Sequence, residues 1–288
     1  MAGVRPGSSP TVLRIILARQ LAELREKAGL SYEQAGEAIY SSSWTIRRIE
    51  RAEGGLKPLT VKSLLVAYGI TDPAEIETFV TLARGASRPG WWHSYDDVLP
   101  PWFRTAVGLE ESATQIRAYE PQVIPGLLQT PDYIRSLSQA GFPDTTDNKT
   151  SRRVALRLAR QELLTRPDAP AYWVVLDETV LRRLIGGPAV MRGQLAHLIK
   201  TAELPNVTIQ VIPFGTGWHP ALYGMFNIFR FPEAEMPDIV YSEYLTGAQY
   251  LSKPEEAAAY IEALDKMSAL AATPEKTVTI FRTTIKEI

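Results

Sequence analysis

Cysteine is absent from the sequence, and histidine is scarce, with three among 288 residues. Without cysteine the chain has no disulfide framework and no thiolate metal site. The three histidines lie far apart, and none has a second ligand at metal-binding spacing; they are His93, His197 and His219. We therefore expect no metal site.

Long apolar runs and the common catalytic or nucleotide-binding motifs are also missing. No apolar run approaches the roughly 20 residues that a bilayer-spanning helix needs, and the N-terminal residues MAGVRPGSSP lack the apolar core of a signal peptide. No nucleophile elbow, phosphate loop or dinucleotide glycine pattern occurs. We therefore expect a cytoplasmic protein with no membrane segment, no cofactor and no enzymatic activity.

The net charge of −1 conceals an asymmetry along the chain. Residues 1–70 hold ten Lys and Arg against six Asp and Glu, whereas the remainder holds 21 against 26. A positive N-terminal part joined to a negative remainder is typical of a phosphate-binding domain attached to a domain that does not bind nucleic acid. The chain is long enough for two domains with separate cores.

Residues 31–51, SYEQAGEAIYSSSWTIRRIER, have the pattern of two short helices around a tight turn. Ser31 and Ser42 are each placed to cap a helix, since a serine hydroxyl accepts a hydrogen bond from a free N–H of the first turn. Ile46 and Ile49 recur at helical spacing, so this side of the second helix is expected to face a core. The opposite side is then exposed and polar.

A helix that turns its polar side outward in this way can lie in the major groove of DNA. A bland helical hairpin has the same local pattern. However, a preceding helix over 12–27 and a following helix that starts at Thr60 complete a helix-turn-helix domain. The expected DNA-contacting residues are Tyr32, Ser42, Ser43, Trp44, Arg47, Arg48 and Arg51.

Residues 11–70 resemble the xenobiotic-response-element (XRE) class of helix-turn-helix domains. The positions that carry the resemblance are Ser31, Ala35, Gly36, Ile39, Ser42, Ile46 and Glu50. Two positions depart from the pattern, because Tyr32 stands where glutamine is frequent and Tyr40 stands where a turn glycine is usual. The resemblance implies a lambda-repressor-like fold that binds double-stranded DNA.

From Trp91 onward the chain resembles an actinobacterial domain of unknown function, number 5753. The resemblance is carried by WWHSYDDVLPPWF, LEESATQIRAYEPQVIPGLLQTPDYIRSL, RRVALRLARQELLTR, VLDETVLRRLIGGPAVMRGQLAHL and PNVTIQVIPFGTGWHPALYGMFNIFRFPE. It implies an actinobacterial transcriptional regulator. It also implies a possible partner, a small protein of the family numbered 397, which is thought to oppose such regulators in an antitoxin-like arrangement.

The later part of the chain mixes helical and strand patterns. Strands are expected at 171–177, 206–212, 224–231 and 238–245, and helices are expected to begin at Pro254 and Pro274. The predicted fold is an all-α helix-turn-helix domain followed by a larger α+β domain with a small sheet and flanking helices. The predicted boundaries are a flexible arm at 1–10, a DNA-binding domain at 11–88 and a regulatory domain at 89–288.

Two residues of the later part have side chains suited to binding. His219 lies in the loop GTGWHPALYG between two predicted strands, where binding groups are common, although a hydrogen-bonded loop histidine is the alternative. Glu243 is either a buried carboxylate that meets an arginine or a ligand amine, or a solvated glutamate on an edge strand. The expected ligand- or partner-binding residues are Trp218, His219, Tyr223, Tyr241, Glu243 and Tyr250.

Together these patterns predict a sequence-specific DNA-binding transcriptional regulator whose C-terminal domain binds a partner protein or an effector. A homodimer is expected because one helix-turn-helix makes few DNA contacts. Two alternatives stay open. One is an antitoxin-like protein whose main role is to sequester a small partner, and the other is a small-molecule-gated sensor.

Overall fold

A computed structural model describes residues 8–141, 146–222 and 224–288. The described chain divides into two compact units. The N-terminal unit comprises the described residues up to His93 together with Glu233–Met236, and the C-terminal unit comprises Ser94–Pro232 and Pro237–Ile288. The arm predicted over 1–10 falls, for residues 1–7, outside the described residues.

The N-terminal unit is all-α, as predicted. Its helices are α1 (Pro10–Lys27), α2 (Tyr32–Ala38), α3 (Ser43–Glu50), α4 (Pro58–Ala67) and α5 (Pro73–Ala86). The predicted caps form, because the Ser31 and Ser42 hydroxyls accept from Gln34 N and Thr45 N. The predicted start of α4 at Thr60 is wrong: the helix begins at Pro58, whose fixed φ suits a first helical position.

The core of this unit explains how α3 is oriented. Ile46 and Ile49 are buried among Leu21 of α1, Leu64 of α4 and Phe79 of α5. Burying such side chains stabilises the fold by about 1.5–3 kcal/mol each. The inward face predicted from helical spacing is confirmed, and it leaves the other side of α3 to solvent.

The turn between α2 and α3 has a tyrosine in place of the usual glycine. Tyr40 has φ 55°, which is left-handed backbone that L-residues other than glycine seldom adopt. Its side chain is fully exposed. Gly36 is required nearby, since a Cβ there would lie 2.8 Å from the Ser41 carbonyl oxygen.

A buried ion pair joins α1 to α3. Arg25 donates from Nε to Glu50 Oε1 at 2.7 Å and from Nη2 to Glu50 Oε2 at 3.0 Å, and both side chains are buried. Arg25 also donates to the Leu30 carbonyl at 2.9 Å. The hydrogen bonds to Glu50 raise the pKa of Arg25 further above its ordinary value. The family resemblance placed a glutamate at 50, and the structure shows its partner.

The C-terminal unit contains one sheet of six strands. The strands are β1 (Gln115–Glu120), β2 (Ala171–Asp177), β3 (Val207–Ile212), β4 (Phe226–Arg230), β5 (Ile239–Tyr244) and β6 (Gly247–Leu251). Their order is β3-β2-β1-β4-β5-β6. Strands β1, β2 and β3 are parallel to one another. Strand β4 pairs antiparallel with β1, β5 with β4, and β6 with β5.

Seven α-helices of the described residues accompany the sheet. They are α6 (Phe103–Ser112), α7 (Pro131–Gly141), α8 (Asp147–Gln161), α9 (Thr179–Arg182), α10 (Pro188–Thr201), α11 (Pro254–Leu270) and α12 (Pro274–Glu287). On one sheet face, Leu264 and Met267 of α11 pack against Tyr119 and Val175. On the other face, Phe103 of α6 packs edge-on against the ring of Tyr241 at 6.0 Å between centroids.

The predicted α+β class is confirmed, but the predicted small sheet is wrong. All four predicted strands form, one with the predicted bounds of 171–177 and three with their ends trimmed, and β1 and β6 are added to them. The helices expected from Pro254 and Pro274 form as predicted. Among the described helices, none is both long and apolar enough to cross a membrane.

The buried pair of Arg25 and Glu50 leads to a prediction about the stability of the N-terminal unit. Glu50→Ala removes the buried counter-ion of Arg25 and leaves only the exposed Glu26 beside it, which we expect to cost about 3–5 kcal/mol. Hydrogen exchange of the α3 amides in the full chain measures the change. Glu26→Ala is the matched control, because Glu26 also contacts Arg25 but is exposed, and little change is expected. Equal protection in both variants would contradict the prediction.

Candidate DNA-binding helix and polar sheet face

The outward side of α3, together with the residue that follows the helix, presents an indole and three guanidinium groups. Trp44 is 64% exposed, a large fraction for so apolar a side chain. Arg47 and Arg51 are exposed, whereas Arg48 is partly buried. Ser42 is exposed at the start of the helix, beside a partly buried Ser43. Because Ile46 and Ile49 hold the other side, these groups share one solvent-facing surface, which we call the α3 surface.

Tyr32 lies next to the α3 surface, at the first position of α2. Its ring centre is 4.1 Å from the guanidinium carbon of Arg25 and 4.5 Å from that of Arg47. Arg47 also approaches Glu33 Oε1 at 3.9 Å. Cation–π contacts of this kind fix the direction of an arginine side chain. The residues predicted on α2 and α3 are thus brought together.

Arg48 is held differently from Arg47. Its guanidinium carbon lies 4.6 Å from the Trp44 ring centre, and Nη2 donates to the Glu53 carbonyl at 3.1 Å. Arg48 therefore stacks on Trp44 and also bonds the backbone just beyond the helix. The stack gives the α3 surface a continuous aromatic and cationic patch.

The predicted ligand-binding residues do not form one site. Strand register places Tyr119, Asp177 and Phe226 on one sheet face, and Tyr241, Glu243 and Tyr250 on the other. His219 contacts the first face, because its Nε2 lies 3.4 Å from the Tyr119 hydroxyl and 3.7 Å from Asp177 Oδ2. Tyr223 lies outside the described residues.

His219 is buried although it belongs to a loop. It is 1% exposed, and within the described residues its Nδ1 has no hydrogen-bond partner. Asp177 is oriented by Thr179, whose backbone N–H donates to Oδ1 at 2.8 Å. The neighbouring Trp218 is 70% exposed, so adjacent residues of the loop face opposite environments.

A cavity of about 240 Å³ opens beside this loop. Its lining is mostly apolar and includes Pro220, Ala221, Phe226 and Tyr260. No described residue of the predicted ligand set contributes to the lining. The volume is below the roughly 300 Å³ at which drug-sized ligands are usually enclosed.

Tyr241, Glu243 and Tyr250 do lie together. The Tyr241 hydroxyl donates to Glu243 Oε2 at 2.8 Å, and its ring centre is 5.2 Å from that of Tyr250. Trp102 Nε1 donates to Glu243 Oε1 at 3.3 Å. Glu243 is exposed but lies on β5, which is an interior strand of the sheet, so neither sequence-based alternative describes it fully.

Several charged groups near this face were not predicted. Arg160 and Glu110 form a buried bidentate pair at 2.9 and 2.7 Å. Arg157 donates to Gln129 Oε1 at 3.0 Å, and burial followed by the charge of Arg160 lowers its pKa to about 10. Glu120, the last residue of β1, is buried. Only the charged side chains in QIRAYE and RRVALRLAR hinted at such a cluster.

The buried carboxyl of Glu120 leads to a prediction of how the stability of the chain depends on pH. Burial, followed by the negative charge of Glu243, raises the pKa of Glu120 to about 8. The folded chain therefore keeps a proton that a solvated carboxyl loses near pH ~4.3. Unfolding then releases a proton, so stability falls as pH rises from about 5 to 8.

Thermal unfolding of the wild type and Glu120→Gln across this range measures the effect. We expect the unfolding midpoint of the wild type to fall relative to that of the variant as pH rises. Glu262→Gln, which alters an exposed carboxylate paired with Lys266, is the control and should follow the wild type. Parallel curves for wild type and Glu120→Gln would show that Glu120 titrates normally.

Comparisons with known proteins assign both parts of the chain to family models. A helix-turn-helix domain matches residues 16–79, and the domain of unknown function DUF5753 matches residues 103–283. Searches of curated proteins and of solved structures return no match. The helix-turn-helix domain indicates a DNA-binding regulator rather than an enzyme. The chain belongs to the DUF5753 family, with a helix-turn-helix domain preceding the family domain.

Proposed function

We propose that this protein is a sequence-specific transcriptional regulator that inserts α3 into the major groove of DNA. The observation that carries the proposal is the α3 surface, on which an exposed indole and arginines lie opposite a buried apolar side. An exposed tryptophan adds nothing to a protein core. Phosphates and base edges are a suitable partner for the cations around it.

The contacts of the predicted DNA-binding residues divide into two kinds. Arg47 or Arg48 donates to O6 and N7 of guanine, and Ser43 and Trp44 meet base edges or a thymine methyl group. The remaining residues, Tyr32, Ser42 and Arg51, bind phosphates and set the register of the helix. Tyr32 is suited to this because its ring already packs against Arg47 at the end of the α3 surface.

Selection of bound sequences from a random duplex library identifies the operator and tests the proposal. The Kd of full-length variants is then measured on the selected duplex and on a scrambled one. Arg48→Ala is expected to weaken binding to the selected duplex by about 1–3 kcal/mol and to relax preference at one base pair, if Arg48 is bidentate to guanine.

Arg84→Ala serves as the matched control, because Arg84 is an exposed arginine on α5 that pairs with Glu77. It should leave the Kd nearly unchanged. Equal losses of Arg48→Ala on the two duplexes would make Arg48 a phosphate contact. If no sequence is enriched in the selection, the DNA-reading role itself is wrong.

A homodimer on a palindromic site follows from the small size of one α3 surface. One recognition helix contacts only a few base pairs, whereas two copies on half-sites about 10 base pairs apart double the contacts. Sedimentation of the complex with the selected duplex is expected to show two chains per duplex. A single chain bound to one duplex would contradict this stoichiometry.

The C-terminal unit has features that favour a protein partner as an additional role. Phe214, Trp218 and Leu222 lie exposed on the loop between β3 and β4, and Leu245 is exposed at the turn between β5 and β6. Exposed apolar groups of this kind are common at protein interfaces. Co-purification with a family-397 protein encoded next to this chain would support the antitoxin-like alternative, and its failure would weigh against that alternative.

A further inference from the structure

An acidic side chain borders the α3 surface. Glu33 is the second residue of α2, and its side chain is 61% exposed. Its Oε1 lies 3.9 Å from Nη2 of Arg47, which belongs to the α3 surface. Hydrogen bonds from the backbone N–H of Glu33 and from the Ser31 hydroxyl lower the pKa of Glu33, and the charge of Arg47 lowers it further. Because an ionised carboxylate repels DNA phosphates, Glu33 does not serve to attract DNA of any sequence.

The ring of Tyr32 is a second group of α2 that contacts Arg47. The guanidinium carbon of Arg47 lies over this ring, 4.5 Å from its centre, and that of Arg25 lies over the same ring at 4.1 Å. Arg25 is buried and is fixed by its two hydrogen bonds to Glu50. Tyr32 is therefore anchored to the buried ion pair while it contacts Arg47 at the surface of the unit.

Arg47 is consequently held by two groups, although half of its side chain is exposed. A long side chain loses conformational freedom when it is immobilised in an interface, and this loss opposes binding. Contacts that order the guanidinium before DNA arrives reduce the loss. A guanidinium carries five N–H donors, so one ion pair and one ring contact leave donors for a base edge.

Arg48, the other arginine that can read guanine under the proposed function, is held by different groups. Its Nη2 donates to the Glu53 carbonyl at 3.1 Å, and its guanidinium carbon lies 4.6 Å from the Trp44 ring centre. Neither of these contacts involves α2. A substitution in α2 can therefore change the direction of Arg47 while Arg48 keeps its own contacts.

We propose that Glu33 and the ring of Tyr32 are positioning residues, which hold Arg47 in the direction it needs to read a base edge in the major groove. The inference rests on the proposed function and deepens it, because it names residues that set the sequence specificity. Glu33 favours the correct sequence in two ways: its charge weakens binding to phosphates in general, and its contact with Arg47 arranges a donor for one base. The role of Tyr32 belongs to its ring and leaves the hydroxyl for a phosphate.

Specificity is measured as the ratio of the Kd on the scrambled duplex to the Kd on the selected duplex, with the full-length chain at one salt concentration. We expect Glu33→Gln to lower this ratio by about fivefold or more, while binding to the scrambled duplex becomes no weaker. Glu37→Gln is the matched control, because it removes the same charge from an exposed position one turn further along α2. It should leave the ratio within about twofold of the wild type.

Two substitutions of Tyr32 separate the ring from the hydroxyl. Tyr32→Phe keeps the ring and should retain the preference at the base pair that Arg47 reads. Tyr32→Leu removes the ring and should relax that preference. If Tyr32 acted only through a hydroxyl bound to phosphate, both variants would lose affinity alike on the two duplexes. Unfolding midpoints of both variants establish that they are folded.

The positioning of Arg47 can also be measured without DNA. We expect ¹⁵N relaxation of the Arg47 Nε–H in the free chain to show an ordered side chain in the wild type and in Tyr32→Phe. The same group should be more mobile in Tyr32→Leu, whereas the Arg48 Nε–H should be unchanged. A double-mutant cycle completes the test, because Glu33→Gln should have no further effect on base preference once Arg47 is replaced in Arg47→Ala.

Three results would overturn the positioning role. The first is an equal specificity ratio for Glu33→Gln and Glu37→Gln, and the second is unchanged mobility of Arg47 in Tyr32→Leu. The third is an effect of Glu33→Gln on base preference that persists in Arg47→Ala. Each of these leaves the proposed function standing if the wild type has selected a sequence, whereas failure to select any sequence would overturn both.

Discussion

The buried pair of Arg25 and Glu50 is the interaction on which the N-terminal unit most depends. It joins the last turn of α1 to the last residue of α3, and Arg25 also secures the loop before α2 through the Leu30 carbonyl. A hydrophobic core alone tolerates small rotations of a helix, because apolar contacts are not directional. The two hydrogen bonds of a bidentate pair fix the rotation of α3 and therefore the direction in which Trp44 and Arg47 point.

Much of this unit could be predicted because its signals are local. The caps at Ser31 and Ser42 and the spacing of Ile46 and Ile49 each depend on residues within one helical turn. The partner of Glu50 could not be found in that way, since it lies on another helix and nothing in the local sequence distinguishes Arg25 from other arginines. The start of α4 was misplaced because Thr60 imitates a cap, whereas Pro58 determines the first turn.

The sheet of the C-terminal unit was harder to predict, because the sequence of its central strand, β1, does not look like that of a buried strand. QIRAYE mixes Arg117 and Glu120 with apolar residues, although β1 lies in the middle of the sheet and pairs with strands far along the chain. The six-stranded sheet therefore exceeded the four strands that were expected. The buried pair of Arg160 and Glu110 likewise joins residues on two different helices, which no local pattern encodes.

The last two side chains of β1, Tyr119 and Glu120, lie in two different chemical surroundings. Successive side chains of a strand point to opposite faces, so Tyr119 meets His219 on one side while Glu120 meets the charge of Glu243 on the other. The two clusters are thus separated by a single peptide plane. The strand end is therefore shared by the surroundings of the His219 loop and by those of the buried Glu120 carboxyl.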